Sequence, residues 1–276
     1  MNDDKMNDDT MNDDNKCAVS LTFLGTGTSQ GIPVIACNCR VCRSADARDR
    51  RLRASVLFDV AQGSCHARLL IDAGPDFRQQ MLRAQVTRLD GILLTHEHKD
   101  HTGGLDDVRA LNYTTGKPVD VYAETRVHDA LKREYAYAFA EHKYPGVPEF
   151  NLCTIDEDPF TINGIEIIPV RVWHHRLPVL GFRIGRLAYI TDASRIDERE
   201  KEKLQGLDIL VLNVIRRTPH LSHFSLPEAL ALYDELQPKR LYLSHLSHQI
   251  EPHAELAAAL PPNVLPAYDG LTVTGY

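Results

Sequence analysis

Alternating positions and short unbroken apolar runs divide this chain into strands separated by amphipathic helices. Leu21-Thr22-Phe23-Leu24, Ser55 to Asp59 and Ala67 to Asp72 read as strands, the last two joined by a Gln62-Gly63-Ser64 turn. Gly91-Ile92-Leu93-Leu94-Thr95 is an apolar run of the length expected for a strand buried on both faces. Further strands are expected at 119–122, 160–162, 165–173, 180–184, 187–191, 209–213, 241–244 and 271–274. Helical spacing predicts helices over 76–84, from Leu105, near 126–140, and over 198–204 and 226–236, with a loop at 143–148. The second half repeats the first in outline. No Gly/Ser/Pro-rich linker cuts the body, so one domain is expected over 17–276.

The first sixteen residues break this pattern. They repeat Met-Asn-Asp-Asp followed by Lys5, Thr10 or Asn15, with no apolar periodicity, and are expected to form a disordered acidic tail over 1–16. Of the formal net charge of −7, the six Asp and two Lys there account for −4, leaving −3 for the rest. A nearly balanced body disfavours a broad polyanion-binding surface. A hydrophobic content of 43% suits a sizeable core. No segment resembles a secretory signal or a membrane span, so a cytoplasmic protein without a membrane partner is expected.

The densest chemistry lies in His96-Glu97-His98-Lys99-Asp100-His101, three imidazoles and an aspartate in one loop between an apolar strand and Gly103-Gly104. Imidazole and carboxylate are the usual ligands of borderline divalent ions, and His at i and i+2 can leave one face of a strand end. Other strand ends must then bring further ligands to the same point. His174 or His175, Asp192 and His245 occupy such ends. Neighbouring residues on a strand point oppositely, so only one of His174 and His175 can serve. Cys37, Cys39 and Cys42 are crowded together, a spacing better suited to thiolate ligation than to a disulfide framework, while Cys17, Cys65 and Cys153 are scattered. Gly25-Thr26-Gly27 does not have Rossmann spacing, and Pro33 stands where a phosphate-capping helix should begin.

The His-x-His-x-Asp-His loop, followed by a later His, an Asp and a last His, resembles the metallo-β-lactamase superfamily over roughly residues 20 to 275. That resemblance implies an α/β fold, an αβ/βα four-layer sandwich of two similar halves with metals along one edge. Gly25-Thr26-Gly27 leading to Cys37-x-Cys39-x-x-Cys42, with Ser244-His245-Leu246-Ser247-His248-Gln249, is similar to its cyclic phosphate phosphodiesterase branch. The branch implies one catalytic ion on His96, His98, His174 and Asp192, and a second on Asp100, His101, Asp192 and His245. It also implies a structural Zn²⁺ on Cys37, Cys39, Cys42 and His248. The family's ligand-to-glycine spacing, here His174 to Gly181, favours His174 over His175.

Two divalent ions about 3.5 to 4 Å apart can share a water, lower its pKa toward roughly 7 and present hydroxide to phosphorus. The resemblance therefore implies a metal-dependent phosphodiesterase, carrying Mn²⁺ or Zn²⁺, for a small cyclic or nucleotide-like phosphate ester. His223 takes the role of general acid, and Asp100 is counted with it among the catalytic residues. Asp72 is expected to brace the histidine loop. Arg109 is open to a substrate phosphate or to a salt bridge on its helix. Asp269-Gly270 reads as a turn. His66, His128, His142, His220 and His253, without partner patterns, are expected at the surface. Two other readings stand beside the phosphodiesterase: an endonuclease maturing transfer-RNA 3′ ends, which shares the ligands, and a non-hydrolytic binding protein of cofactor biosynthesis, whose relatives keep the cysteine cluster but lose the histidine loop that is intact here. Oligomeric state is not encoded in these motifs, and a homodimer is left open.

Overall fold

The computed structural model describes residues 17–275; the predicted acidic tail over 1–16 lies outside them. In chain order the first half contains β1 (Cys17–Gly25), β2 (Ser55–Gln62), β3 (Cys65–Ile71), α1 (Phe77–Arg83), β4 (Gly91–Leu93), α2 (Lys99–Thr102), α3 (Arg109–Thr115), β5 (Val119–Ala123), α4 (Thr125–Glu134) and β6 (Phe150–Thr154). The second contains β7 (Phe160–Ile162), β8 (Ile165–His174), β9 (Leu177–Ile184), β10 (Leu187–Ile190), β11 (Arg195–Ile196), α5 (Glu198–Glu202), β12 (Ile209–Asn213), α6 (Leu226–Leu236), β13 (Arg240–Ser244), α7 (His253–Ala259), β14 (Val264–Pro266) and β15 (Thr272–Gly275).

Two mixed sheets result. The first runs β15-β1-β2-β3-β4-β5-β6, antiparallel as far as β3 and parallel from there to β6. The second runs β11-β8-β9-β10-β12-β13-β14, antiparallel to β10 and parallel beyond, with β7 also paired to β8. Each half thus makes the same switch, as the repeated order of elements implied.

Burial explains why these runs become strands. Val19, Leu21 and Phe23 of β1 alternate into a core shared with Ile167, Phe182 and Tyr189 of the opposite sheet. β12 is buried on both faces: Ile209 and Val211 enter that core, while Leu210 and Leu212 pack with α6 residues Leu226, Ala229 and Leu232. On the other side Leu70 and Ile92 meet Phe77 of α1 and Val127 and Leu131 of α4. The layers are therefore helix, sheet, sheet, helix, the αβ/βα sandwich. The C-terminal ends of the parallel strands β3, β4, β10, β12 and β13 open toward one edge, where a ligand groove can form.

Several elements differ from expectation. α4 stops at Glu134, and a single 3₁₀ turn over Ala136–Ala138 replaces its last stretch. β6, α7 and β14 carry no clear period. β6 is an edge strand with no fully buried residue, and the alanines of α7 pattern neither face. Among the described residues no helix is long and apolar enough to cross a membrane.

Candidate metal centre

Asp72 leaves β3 with a left-handed backbone (φ 62°), which turns its carboxylate under the histidine loop. It accepts from the Thr95 amide at 2.9 Å, from Thr95 Oγ1 at 3.0 Å, and pairs with His101 Nδ1 at 2.6 Å. With Nδ1 engaged, His101 presents Nε2 to the groove. Two glycines let the chain come this close. A Cβ on Gly74 would sit 2.0 Å from the Asp100 carbonyl oxygen, and one on Gly104 would sit 2.0 Å from the Gly74 carbonyl oxygen. Gly74→Ala should therefore force the ligand loop off Asp72 and cost about 1–3 kcal/mol in urea unfolding. An unchanged midpoint would show that this approach is not constrained.

Asp192 is the hub. It follows β10, is 2% exposed and also has a left-handed backbone (φ 51°), as does His245 (φ 54°) after β13. One carboxylate oxygen lies 2.7 Å from His101 Nε2, and the other lies 2.7 Å from His223 Nε2 and 3.2 Å from His245 Nε2. Asn213 fixes the turn behind it, accepting from the Ala193 amide at 2.7 Å and donating to the Ala193 carbonyl at 2.9 Å. His96, His98 and His174 complete the cluster, with ring centroids 4.5 Å apart for His96 and His98 and 5.3 Å for His98 and His174. The Ser222 carbonyl accepts from His174 Nδ1 at 2.8 Å, which leaves Nε2 for the groove.

All seven residues expected from the His loop and later strand ends thus meet in one place, and their closest groupings are His96, His101 and Asp192; Asp100, His101 and His245; and His174, Asp192 and His223. His101 contributes to two of these. His98 lies beside them without joining a closest group, and His223 comes nearer to Asp192 than a residue assigned only to acid catalysis needs to. His175 is exposed at the β8–β9 turn.

Electrostatics sort these side chains into donors of lone pairs and carriers of charge. Burial alone would raise the Asp192 carboxyl, but His245 and His101 beside it hold it well below the usual carboxylate range. Burial pushes the imidazole of His96 well down and that of His245 to about 4, so both are neutral ligand types at physiological pH. His101 goes the other way: burial opposes its charge, yet Asp192, Asp72 and Asp100 raise it well above its ordinary value. A positive charge is what this point in the protein calls for. The buried Nε2 of His96 and Nδ1 of His245 have no hydrogen-bond partner among the described residues, and Nε2 of His101 and of His245 face only the carboxylates of Asp192 and Asp100. Divalent cations satisfy such orphaned nitrogens and balance the carboxylates, so the donor set fits metal.

A second cluster joins distant chain segments. His248 Nδ1 is 3.2 Å from Cys37 Sγ, 3.6 Å from Cys39 Sγ and 3.7 Å from Cys42 Sγ. These atoms lie within 4.8 Å of one another, and all six cysteines are free thiols. The Cys42 amide on Cys39 Sγ lowers the Cys39 thiol to about 6, with help from His248 against burial, while burial pushes Cys42 up to about 11. Leu246, between His245 and His248, donates its amide to the Thr26 carbonyl at 2.9 Å. The Gly25-Thr26-Gly27 segment therefore anchors the His245 strand end rather than cradling a phosphate.

Residues 67–246 match the family described as "Beta-lactamase superfamily domain". The chain belongs to the metallo-β-lactamase superfamily. Within it, a solved diphosphatase of the PhnP family is 38% identical, with a TM-score of 0.86 covering 94% of this chain and 98% of that one. That likeness puts the chain in the PhnP-like branch. A Porphyromonas gingivalis W83 protein named octanoyltransferase is 42% identical over 250 residues, which are 90% of this chain but 50% of that protein. This chain thus spans half the length of that curated relative. Zn²⁺-bound PqqB from Methylobacterium extorquens shares the fold, with a TM-score of 0.74 at 20% identity, covering 92% of this chain and 99% of that one. The groove has the make-up of a metal-dependent phosphodiesterase-type active site.

Other residues fall differently from expectation. Arg109 is tied to Asp106 in its own helical turn, the salt-bridge alternative, and not turned to the groove. His128 and His253, expected at the surface, are 3% and 4% exposed. His128 packs with Val121, and His253 lies over the fully covered Arg51, because each stands on the inner face of a helix that the local pattern leaves ambiguous. His66 and His142 are exposed as expected, whereas His220 touches the site, its Nδ1 3.3 Å from His223 Nδ1. Asp269 is more than a turn residue: it accepts from the Thr26 amide and hydroxyl and from the Leu52 amide. Asn213 was missed altogether, its only signal being an amide ending a wholly apolar strand.

Proposed function

We propose that this protein is a metal-dependent phosphodiesterase that hydrolyses a small phosphate ester, cyclic, nucleotide-like or joined through a diphosphate. The observation that carries the reading is the convergence of His96, His98, Asp100, His101, His174 and His245 on the buried carboxylate of Asp192. In this reading His96, His98, His174 and Asp192 hold one ion, Asp100, His101, Asp192 and His245 hold another, and Asp192 lies between them. Bound divalent ions of the Mn²⁺ or Zn²⁺ type would supply Lewis acidity toward phosphoryl oxygens and a water of lowered pKa. Cys37, Cys39, Cys42 and His248, whose ligand atoms lie within 4.8 Å of one another, would hold a structural Zn²⁺ with no position left open.

The chain's own groups do the rest. Asp72 orients His101 through Nδ1, and the Ser222 carbonyl orients His174. His223 sets its Nε2 at the groove, 2.7 Å from Asp192 Oδ1, and its Nδ1 is backed by Ser222 Oγ at 3.1 Å and by His220. That placement suits delivery of the Nε2 proton to the leaving oxygen. The diphosphatase relative supports a diphosphate linkage among the substrates. The name octanoyltransferase belongs to a protein twice the matched length and assigns no substrate to this groove.

The test is turnover of chromogenic phosphodiesters, cyclic phosphates, dinucleoside diphosphates and short RNA by protein reconstituted with Mn²⁺ or Zn²⁺. No turnover under either metal would overturn the reading in favour of a binding protein, and cleavage of RNA alone would favour the endonuclease. His223→Ala should slow esters of poor leaving groups about 100-fold or more while sparing p-nitrophenyl esters. Equal slowing of both would remove the acid role.

A further inference from the structure

Glu97, the one acidic residue in the histidine loop outside the proposed ligand set, joins none of the ligand groupings and is bound by Arg126. Arg126 occupies the first turn of α4, where the helix dipole disfavours a cation, so its position needs another cause. Its guanidinium bridges two halves of the molecule: one terminal nitrogen meets the Glu97 carboxylate, and the other meets the Pro178 carbonyl on β9. Glu124, 3.2 Å away, is the second carboxylate beside it and is shared with Arg171 of β8 at 3.1 Å. Pro178 lies opposite Trp173 in the β8–β9 ladder, next to His174. The Leu180 amide, two residues on, donates to the Thr95 carbonyl at 3.1 Å.

We infer that Arg126 is a positioning residue that locks the loop carrying His96 and His98 against the hairpin carrying His174, and thereby completes the ion site built across the seam. His98 makes this lock necessary. It sits outside the closest ligand groups, and its relation to His174, 5.3 Å between rings, is set only by how the two halves register. A fork that binds a carboxylate on one half and a carbonyl on the other fixes that register in a way a point charge cannot. Outer groups of this kind typically alter metal affinity about 10- to 100-fold.

The inference rests on the two-ion reading, and Mn²⁺ titration of chelator-treated full-length protein against a competing chelator separates the two. Failure of the parent to take up two Mn²⁺ would overturn both. Given two in the parent, Arg126→Met should weaken one about 10- to 100-fold and leave the other within about threefold. Glu97→Gln should weaken the same one, and the double variant should be no worse than the stronger single variant, because the pair acts as a unit. The unfolding midpoint of each metal-free variant should stay within about 2 °C of the metal-free parent. Parent-like affinity for both ions, additive losses in the double variant, or a matching fall in the metal-free midpoint would each overturn the positioning role.

Discussion

Asp192→Asn should remove phosphodiesterase activity by about 10³-fold or more and abolish tight binding of both catalytic metals. Asparagine is nearly isosteric and tolerates the left-handed backbone at this position, so the chain can still turn here. What it removes is the charge. Asp192 meets His101, His223 and His245 through both carboxylate oxygens, at the centre of a buried cluster otherwise rich in imidazole. A neutral amide cannot serve two cations from one position, and its NH₂ group would turn a donor toward ring nitrogens that must themselves face metal. Metal content and chromogenic phosphodiester hydrolysis measured on the same samples check this. Activity within tenfold of the parent, with metal retained, would mean that the carboxylate is not the shared group.

The second large effect is expected at the cysteine cluster. Cys39→Ser should lower zinc content by one equivalent and the unfolding midpoint by roughly 10 °C, as a closed zinc site contributes several kcal/mol to folding. His248 and Cys42 are 206 residues apart, so one ion would close a loop through most of the chain and restrain a large unfolded ensemble. His245 lies only three residues before His248, and Leu246 between them is already fastened to Thr26. Activity should therefore fall too, although Cys39 itself lies in a separate cluster from the catalytic groove. An unchanged zinc count, measured by elemental analysis, would reject the site.

The two clusters were legible in the sequence because each has a local signal. His96 to His101 is a local signal, since four candidate ligands in one six-residue loop need no knowledge of the fold. Cys37, Cys39 and Cys42 are equally local. Of their partners, His245 became visible because strand ends are where α/β folds gather side chains, and His248 only through the family resemblance. The hidden groups act through backbone contacts or across the seam: Asn213 on the Ala193 backbone, Ser222 through its carbonyl, and Arg126 between Glu97 and Pro178. No residue type or spacing announces such roles. Two of the histidines placed at the surface failed in the same way, because His128 and His253 sit on helices whose inner face is decided by what packs on them.

By itself, the sequence determined the alternation of strands and helices, the burial of the strand leading into the histidine loop on both faces, and the residues equipped to hold metal. Those properties follow from local periodicity and side-chain chemistry, which any short window of the chain carries. Only the tertiary structure decided that His223 approaches Asp192, that His101 stands in two ligand groups, and that His98 lies beside His174 of the other half. Contacts between residues tens to hundreds of positions apart depend on how the two sheets stack and register, and no local pattern encodes that registration.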